Sequence, residues 1–170
     1  TRFDMPTLNK ELLKFDMPPP SPYQQIDLLQ TAKKQFRLAS NKLDFVSKYL
    51  GLDGKVQHKG MDLWTGCMNN NPADWRMMQR YNKQDVVLLE QVYNKLLPWI
   101  KSHPNPALFN DKTEMQCPKC GSTHLQKRGT YYTKVQKYQR YQCMSCHSWS
   151  KSRFTDVPKS KRPNILNGVA

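Results

Sequence analysis

Apolar residues recur at helical spacing through the first hundred positions. Leu8, Leu12 and Phe15 share one face, and Pro6 suits the first turn of that helix, where its missing N–H costs nothing. Pro18-Pro19-Pro20 breaks the chain. Ile26, Leu29 and Ala32 then predict a second helix with Asp27 in its first turn. Asn41-Lys42-Leu43-Asp44 resembles an N-terminal cap, and Leu43, Val46 and Leu50 form a stripe ended by Gly51. Residues 56 to 75 read as irregular. From Lys83 to Ile100 the positions Val86, Leu89, Val92, Tyr93, Leu96 and Leu97 predict a longer helix.

Beyond residue 110 the pattern changes from helical to pleated. His124–Arg128, then Gly129, then Thr130–Val135, then Tyr138–Gln142 are rich in Thr, Val and Tyr, with Gly129 as punctuation, and predict a three-stranded ribbon. His103-Pro104-Asn105-Pro106 marks a boundary. The division expected is a first domain over 1–103, a linker over 104–113, the ribbon over 114–155 and a flexible basic tail over 156–170. No internal repeat is found.

Composition adds a partner. The 170 residues carry 27 Lys and Arg against 13 Asp and Glu, a formal net charge of +14. Residues 111 to 170 hold 12 of those cations and 3 of the acids, so the surplus is concentrated in the shorter part. Such a surplus suggests a polyanion, most often nucleic acid; the alternative is a protein that is merely basic. No run of 18 or more apolar residues exists, so no membrane span is expected, and no secretory leader is visible. The expected location is the cytoplasm, or a host's cytoplasm for a phage protein.

Four of five cysteines also lie in the second part. Cys117-Pro-Lys-Cys120 and Cys143-Met-Ser-Cys146 are two CxxC pairs separated by 22 residues. Each such turn aims two thiolates at one point, and two turns make a tetrahedral sulfur site that suits zinc. Disulfides or free thiols are the alternatives. With four thiolates available, His124 and His147 are expected at the surface, and Cys67 as a small buried apolar group. In the ribbon, Lys127, Arg128, Lys134, Lys137, Arg140, Lys151 and Arg153 alternate with Tyr131, Tyr132, Tyr138, Tyr141, Trp149 and Phe154. Cations neutralise phosphates and aromatic faces stack on bases, a mixture suited to single-stranded or irregular nucleic acid; the alternative is that the rings cover a thin core and the cations are simply solvated. The knuckle segments look like the zinc ribbons of transposases and other DNA-handling proteins.

Two features of the first part carry chemistry. Asp4 opens a helix, and Tyr81 and Asp85 lie four apart on one helical face, where a phenol and a carboxylate can meet one site. Neither pattern is specific alone. In order, RFDMPTL, IDLLQTAKKQFRL, NKLDFVSKYLGL, MDLW and YNKQDVVLLEQVYNKL resemble the second half of a 3′–5′ exonuclease domain of the DEDD superfamily, tyrosine subclass, nearest to the phage and bacterial relatives of the family-B DNA polymerase proofreading domain. The resemblance covers roughly residues 1 to 101. It implies an α/β, ribonuclease H-like fold, helix-rich here because the sheet-bearing part and the family's Asp-x-Glu motif would precede Asp4. It implies that Asp4 and Asp85 hold Mg²⁺ or Mn²⁺ and that Tyr81 positions the attacking water. Asp27, Lys42, Asp44 and Asp62 fall outside the signature and read as structural or substrate-facing.

The expected function is therefore metal-dependent 3′–5′ removal of nucleotides, with a zinc ribbon that binds the substrate through Lys127, Arg128, Tyr131, Lys134, Lys137, Arg140 and Tyr141. DNA is expected in preference to RNA, with a replication or recombination protein as a further partner. The rival expectations are a non-catalytic nucleic-acid binder on a nuclease-like scaffold and a ribbon that docks a polymerase or recombination protein.

Overall fold

The computed structural model describes residues 4–169, so Phe3, which the resemblance joins to Asp4, lies outside the described residues. The chain divides into two compact units, Thr1–Leu96 and Leu97–Ala170.

The first unit holds five helices: α1 (Asp4–Lys14), α2 (Leu28–Gln35), α3 (Leu43–Tyr49), α4 (Met61–Met68) and α5 (Pro72–Leu96). No strand occurs among its described residues. α1 ends where Asp16 turns left-handed at φ 50° and the Met17 N–H reaches back to the Leu12 carbonyl at 2.9 Å. The three prolines then forbid any continuation. Asp27 lies one position earlier than expected: it is the N-cap of α2, its carboxylate accepting the Gln30 N–H at 3.0 Å. The cap expected at Asn41 is absent. Lys42 is the N-cap of α3, without a side-chain bond, and the Asn41 amide oxygen is buried with no partner. Gly51 ends α3 as read, at φ 69°.

Residues 56 to 75 correct the expectation of irregular chain. They contain α4 and the first turn of α5, which starts eleven residues before Lys83 and ends at Leu96, short of Ile100. The connection is compact because its capping chemistry is complete. Asn70 takes φ 58°, the Asn71 N–H bonds the Gly66 carbonyl, the Asn71 side chain accepts the Ala73 N–H at 2.9 Å, and Pro72 occupies the first helical position. A β-carbon on Gly66 would collide with the Asp74 carboxylate, so the missing side chain sets how closely α4 approaches α5.

α5 carries both apolar clusters of this unit. Toward its C-terminal end Val92 and Leu96 pack with Val46 of α3, flanked by Leu28, Phe36, Leu38, Leu43, Leu50 and Leu52. Toward its N-terminal end Met78 packs with Leu63 and Cys67 of α4, flanked by Met77 and Tyr81. Cys67 is thus the buried apolar group expected.

The second unit is built on a three-stranded antiparallel sheet, ordered β1 (Leu125–Tyr132), β2 (Lys137–Cys143), β3 (Trp149–Lys151). Three strands were expected, but differently composed. β1 runs straight through Gly129, where Arg128 and Gly129 together oppose Arg140 in a bulge and Gly129 takes φ 72°. The third strand instead follows the second cysteine pair. The tail over 156–170 also has local order. Val157 is buried, the Asp156 N–H bonds the Lys137 carbonyl at 2.8 Å, and a 3₁₀ helix spans Lys159–Asn164.

Candidate functional site

In the helical unit, one lysine joins the residues that the sequence singles out. α5 presents Tyr81 and Asp85 one turn apart. The Lys55 ammonium, from the segment between α3 and α4, lies 2.9 Å from Asp85 Oδ2 and donates to the Tyr81 hydroxyl at 3.3 Å. The same Nζ stands 5.3 Å from the centre of the Tyr81 ring. Asp44 of α3 fixes the segment that carries Lys55, accepting its backbone N–H at 3.3 Å while pairing with Lys48 at 2.8 Å. His58 meets Tyr81 in a T-shaped ring contact, with centroids 4.8 Å apart, and its Nδ1 accepts the Gly60 N–H at 3.1 Å.

The electrostatics are those of a half-buried pair. Burial alone would lower the Lys55 pKa; its hydrogen bonds to Asp85 and Tyr81 outweigh that and raise it, so the ammonium stays charged. Asp85 spends Oδ2 on Lys55, but its Oδ1 is buried without a hydrogen-bond partner. An orphaned carboxylate oxygen of this kind can accept a hard cation or a donor from a ligand. Asp4 occupies the first turn of α1 and is exposed. The side chain that meets Asp85 is Lys55, from the 51–60 segment. Among the described residues, the carboxylates form no group of three that could share an ion, so the fit to Mg²⁺ or Mn²⁺ is partial: one free oxygen on Asp85.

Lys55 and His58 are the residues that sequence reading missed. The residues 51–60 have no periodicity, and Lys55 sits 26 residues from Tyr81 in a basic chain, so nothing local distinguishes it.

In the second unit the four cysteines converge as expected. Their Sγ atoms all lie within 4.8 Å of one another, with Cys117–Cys146 and Cys120–Cys143 each at 3.6 Å. That is too long for a disulfide bond and close to the S···S edge, about 3.8 Å, of a tetrahedron with metal–sulfur bonds of about 2.3 Å. The two knuckles repeat one backbone turn. After Cys120 comes Gly121 at φ 72°, its N–H on the Cys117 carbonyl; after Cys146 comes His147 at φ 62°, its N–H on the Cys143 carbonyl. His147 therefore occupies a turn position rather than a ligand position, and neither it nor His124 belongs to the metal-competent group. Ser148, buried beneath the site, brings its hydroxyl within 3.2 Å of Cys117 Sγ and 3.1 Å of Cys146 Sγ. Burial raises the Cys146 thiol and, strongly, that of Cys120. Cys143 is buried too, yet the backbone N–H groups of Cys146 and Ser145 outweigh that and draw it down to about 7. Four sulfur donors at this spacing suit a divalent soft or borderline ion such as zinc.

The residues expected to bind nucleic acid do not share one surface. Side chains alternate along a strand and cross-strand partners share a face. Tyr131 and Arg140 lie on one face of the sheet, because Tyr131 pairs with Tyr138 and Arg140 is two positions further along β2. Lys127, Lys137 and Tyr141 lie on the other. Arg128 sits in the bulge, its carbonyl accepting Arg140 Nε at 2.8 Å, and Lys134 is exposed in the β1–β2 turn.

No helix of the described chain is long and apolar enough to cross a membrane. No curated protein and no solved structure matches the chain. A family model of the RNase H superfamily, RNase_H_2, matches residues 1–97. That span takes in every side chain of the Lys55 cluster and stops before the first cysteine knuckle, so it gives the helical unit a nuclease-type fold and leaves the ribbon unassigned. Since the match extends over more than half of the 170 residues, the chain belongs to the RNase H superfamily.

Proposed function

We propose that the chain is the helical half of a metal-dependent 3′–5′ exonuclease of the tyrosine DEDD subclass, with a zinc ribbon behind it that holds the nucleic acid. The observation that carries this reading is the meeting of the Tyr81 hydroxyl and the Asp85 carboxylate at one ammonium, Lys55, within the matched residues. Asp85, through its orphaned oxygen, and Asp4 are the proposed contacts for Mg²⁺ or Mn²⁺. Tyr81 offers its hydroxyl to orient water. Lys55 holds the Asp85 carboxylate in an ion pair and offers positive charge to a phosphate. Cys117, Cys120, Cys143 and Cys146 bind Zn²⁺ as a structural ion, which accounts for how so small a sheet can fold.

One observation favours a second reading, a nucleic-acid binder without catalysis: the described residues supply no three-carboxylate cluster. The deciding experiment incubates the protein with 5′-labelled oligonucleotides and Mg²⁺ or Mn²⁺. Stepwise shortening from the 3′ end, lost in Asp85→Ala and strongly slowed in Tyr81→Phe, is the result expected. Intact oligonucleotide with both metals, or equal shortening by Asp85→Ala, establishes the binder instead.

A further inference from the structure

We infer that one face of the ribbon sheet, formed by Tyr131, Tyr138, Arg140, Trp149 and Lys151, is a stacking platform for single-stranded nucleic acid. The inference deepens the proposed role of the ribbon as a substrate holder by naming the strandedness of the substrate and the side chains that read it.

The register places these five residues together. Tyr131 pairs with Tyr138, Arg140 pairs with Lys151, and Gln142, two positions beyond Arg140, pairs with Trp149. All of them project from the same face. The rings are tied to the cations beside them. Lys151 Nζ stands 3.7 Å from the Tyr138 ring centre and 5.1 Å from that of Tyr131, and the Arg140 guanidinium lies 4.8 Å from the Trp149 ring. The Arg140 Nε bond to the Arg128 carbonyl anchors that guanidinium. Despite these contacts the rings are not core. Tyr131 remains 45% exposed and Trp149 51% exposed.

Exposed rings on a sheet need an occupant of stated chemistry, and charge names it. The platform face carries Arg140 and Lys151, and the three strands contain no Asp or Glu. An apolar protein partner would have to desolvate the ammonium and guanidinium groups lying against the rings. A nucleic-acid strand does not. Its bases stack on the rings and on the Arg140 plane, while its phosphates meet the cations already held there. A duplex hides its base faces within its own stack, so only an unpaired strand can use the rings.

The test uses the full zinc-loaded chain in buffer without Mg²⁺ or Mn²⁺, so no cleavage intervenes and a catalytically silent protein still gives a readable result. Fluorescence anisotropy measures affinity for a labelled oligothymidylate, an abasic strand of equal length, and a duplex. The wild-type protein is expected to bind the oligothymidylate at least about fivefold more tightly than the abasic strand. Tyr131→Ala and Trp149→Ala are each expected to remove most of that margin while leaving abasic binding unchanged. Trp149→Tyr, which keeps a ring, is expected to retain it. Zinc content of each variant reports whether the ribbon has folded, and the comparison of the three ligands on wild-type protein needs no variant at all. Equal affinity of the wild type for the oligothymidylate and the abasic strand, or a preference for the duplex, overturns the platform. Nucleotide release from Asp85→Ala is scored separately, so failure of the nuclease reading and failure of the platform are told apart.

Discussion

At Lys55 three physical effects meet: desolvation, an ion pair and a phenol hydrogen bond. The pair with Asp85 is partly screened, its side chains 28% and 24% exposed, so its worth lies between that of a surface bridge and a buried one. Lys55→Met is expected to destabilise the helical unit by about 1–2 kcal/mol, because it strands a half-buried carboxylate. Adding Asp85→Asn should recover part of that loss, and urea unfolding of the two single variants and the double variant measures the coupling. Asp44 gives the acid-side counterpart. The Lys48 hydrogen bond, then the Lys55 backbone N–H, hold its carboxyl below the ordinary value of 3.8. A depressed folded pKa means a contribution present above the unfolded value and lost as pH falls through the folded one. The stability gap between wild type and Asp44→Asn should therefore be constant at neutral pH and shrink only below pH 3.8, as followed by urea unfolding across that window.

Among the elements, α5 organises the helical unit, since both apolar clusters and the Tyr81–Asp85 pair belong to it. Its pairing with α4 depends on Gly66. In an open helix, Gly→Ala gains about 1 kcal/mol. Here the new methyl group meets the Asp74 carboxylate, and overpacking costs typically about 1–3 kcal/mol. Gly66→Ala should thus destabilise, and thermal melting of the variant against wild type tests the sign. The capping residues that place these helices were present in the sequence as Asn71-Pro72 followed by Asp74, yet α4 itself was not legible. Its eight residues hold Gly66, and only Leu63 and Cys67 are buried, too short a stripe to show a period.

For the whole molecule, two units fold on different principles. The helical unit rests on side-chain packing against α5, whereas the ribbon buries little beyond Cys117, Cys143, Ser148 and Val157 near its sheet, beside four cysteines that could hold a metal ion. Structural zinc contributes about 10–16 kcal/mol to such small domains. Chelation is expected to abolish the sheet while leaving the helical circular dichroism signal of the first unit, and Cys143→Ser should reproduce the effect with loss of bound zinc by elemental analysis.

The sequence by itself determined what depends on local chemistry. Two CxxC knuckles specified a four-sulfur site, prolines and Gly51 set helix ends, the four-residue spacing of Tyr81 and Asp85 put them on one helical face, and the order of motifs pointed to the ribonuclease H-like family. Only the tertiary structure decided what depends on meetings between distant segments. It brought Lys55 across 30 residues to Asp85, and it sorted the ribbon's cations and rings between two faces. The reason is physical: caps, turns and knuckles are closed by bonds within a few residues. An ion pair in a loop or a bulge that shifts strand register is fixed by packing that no local pattern records.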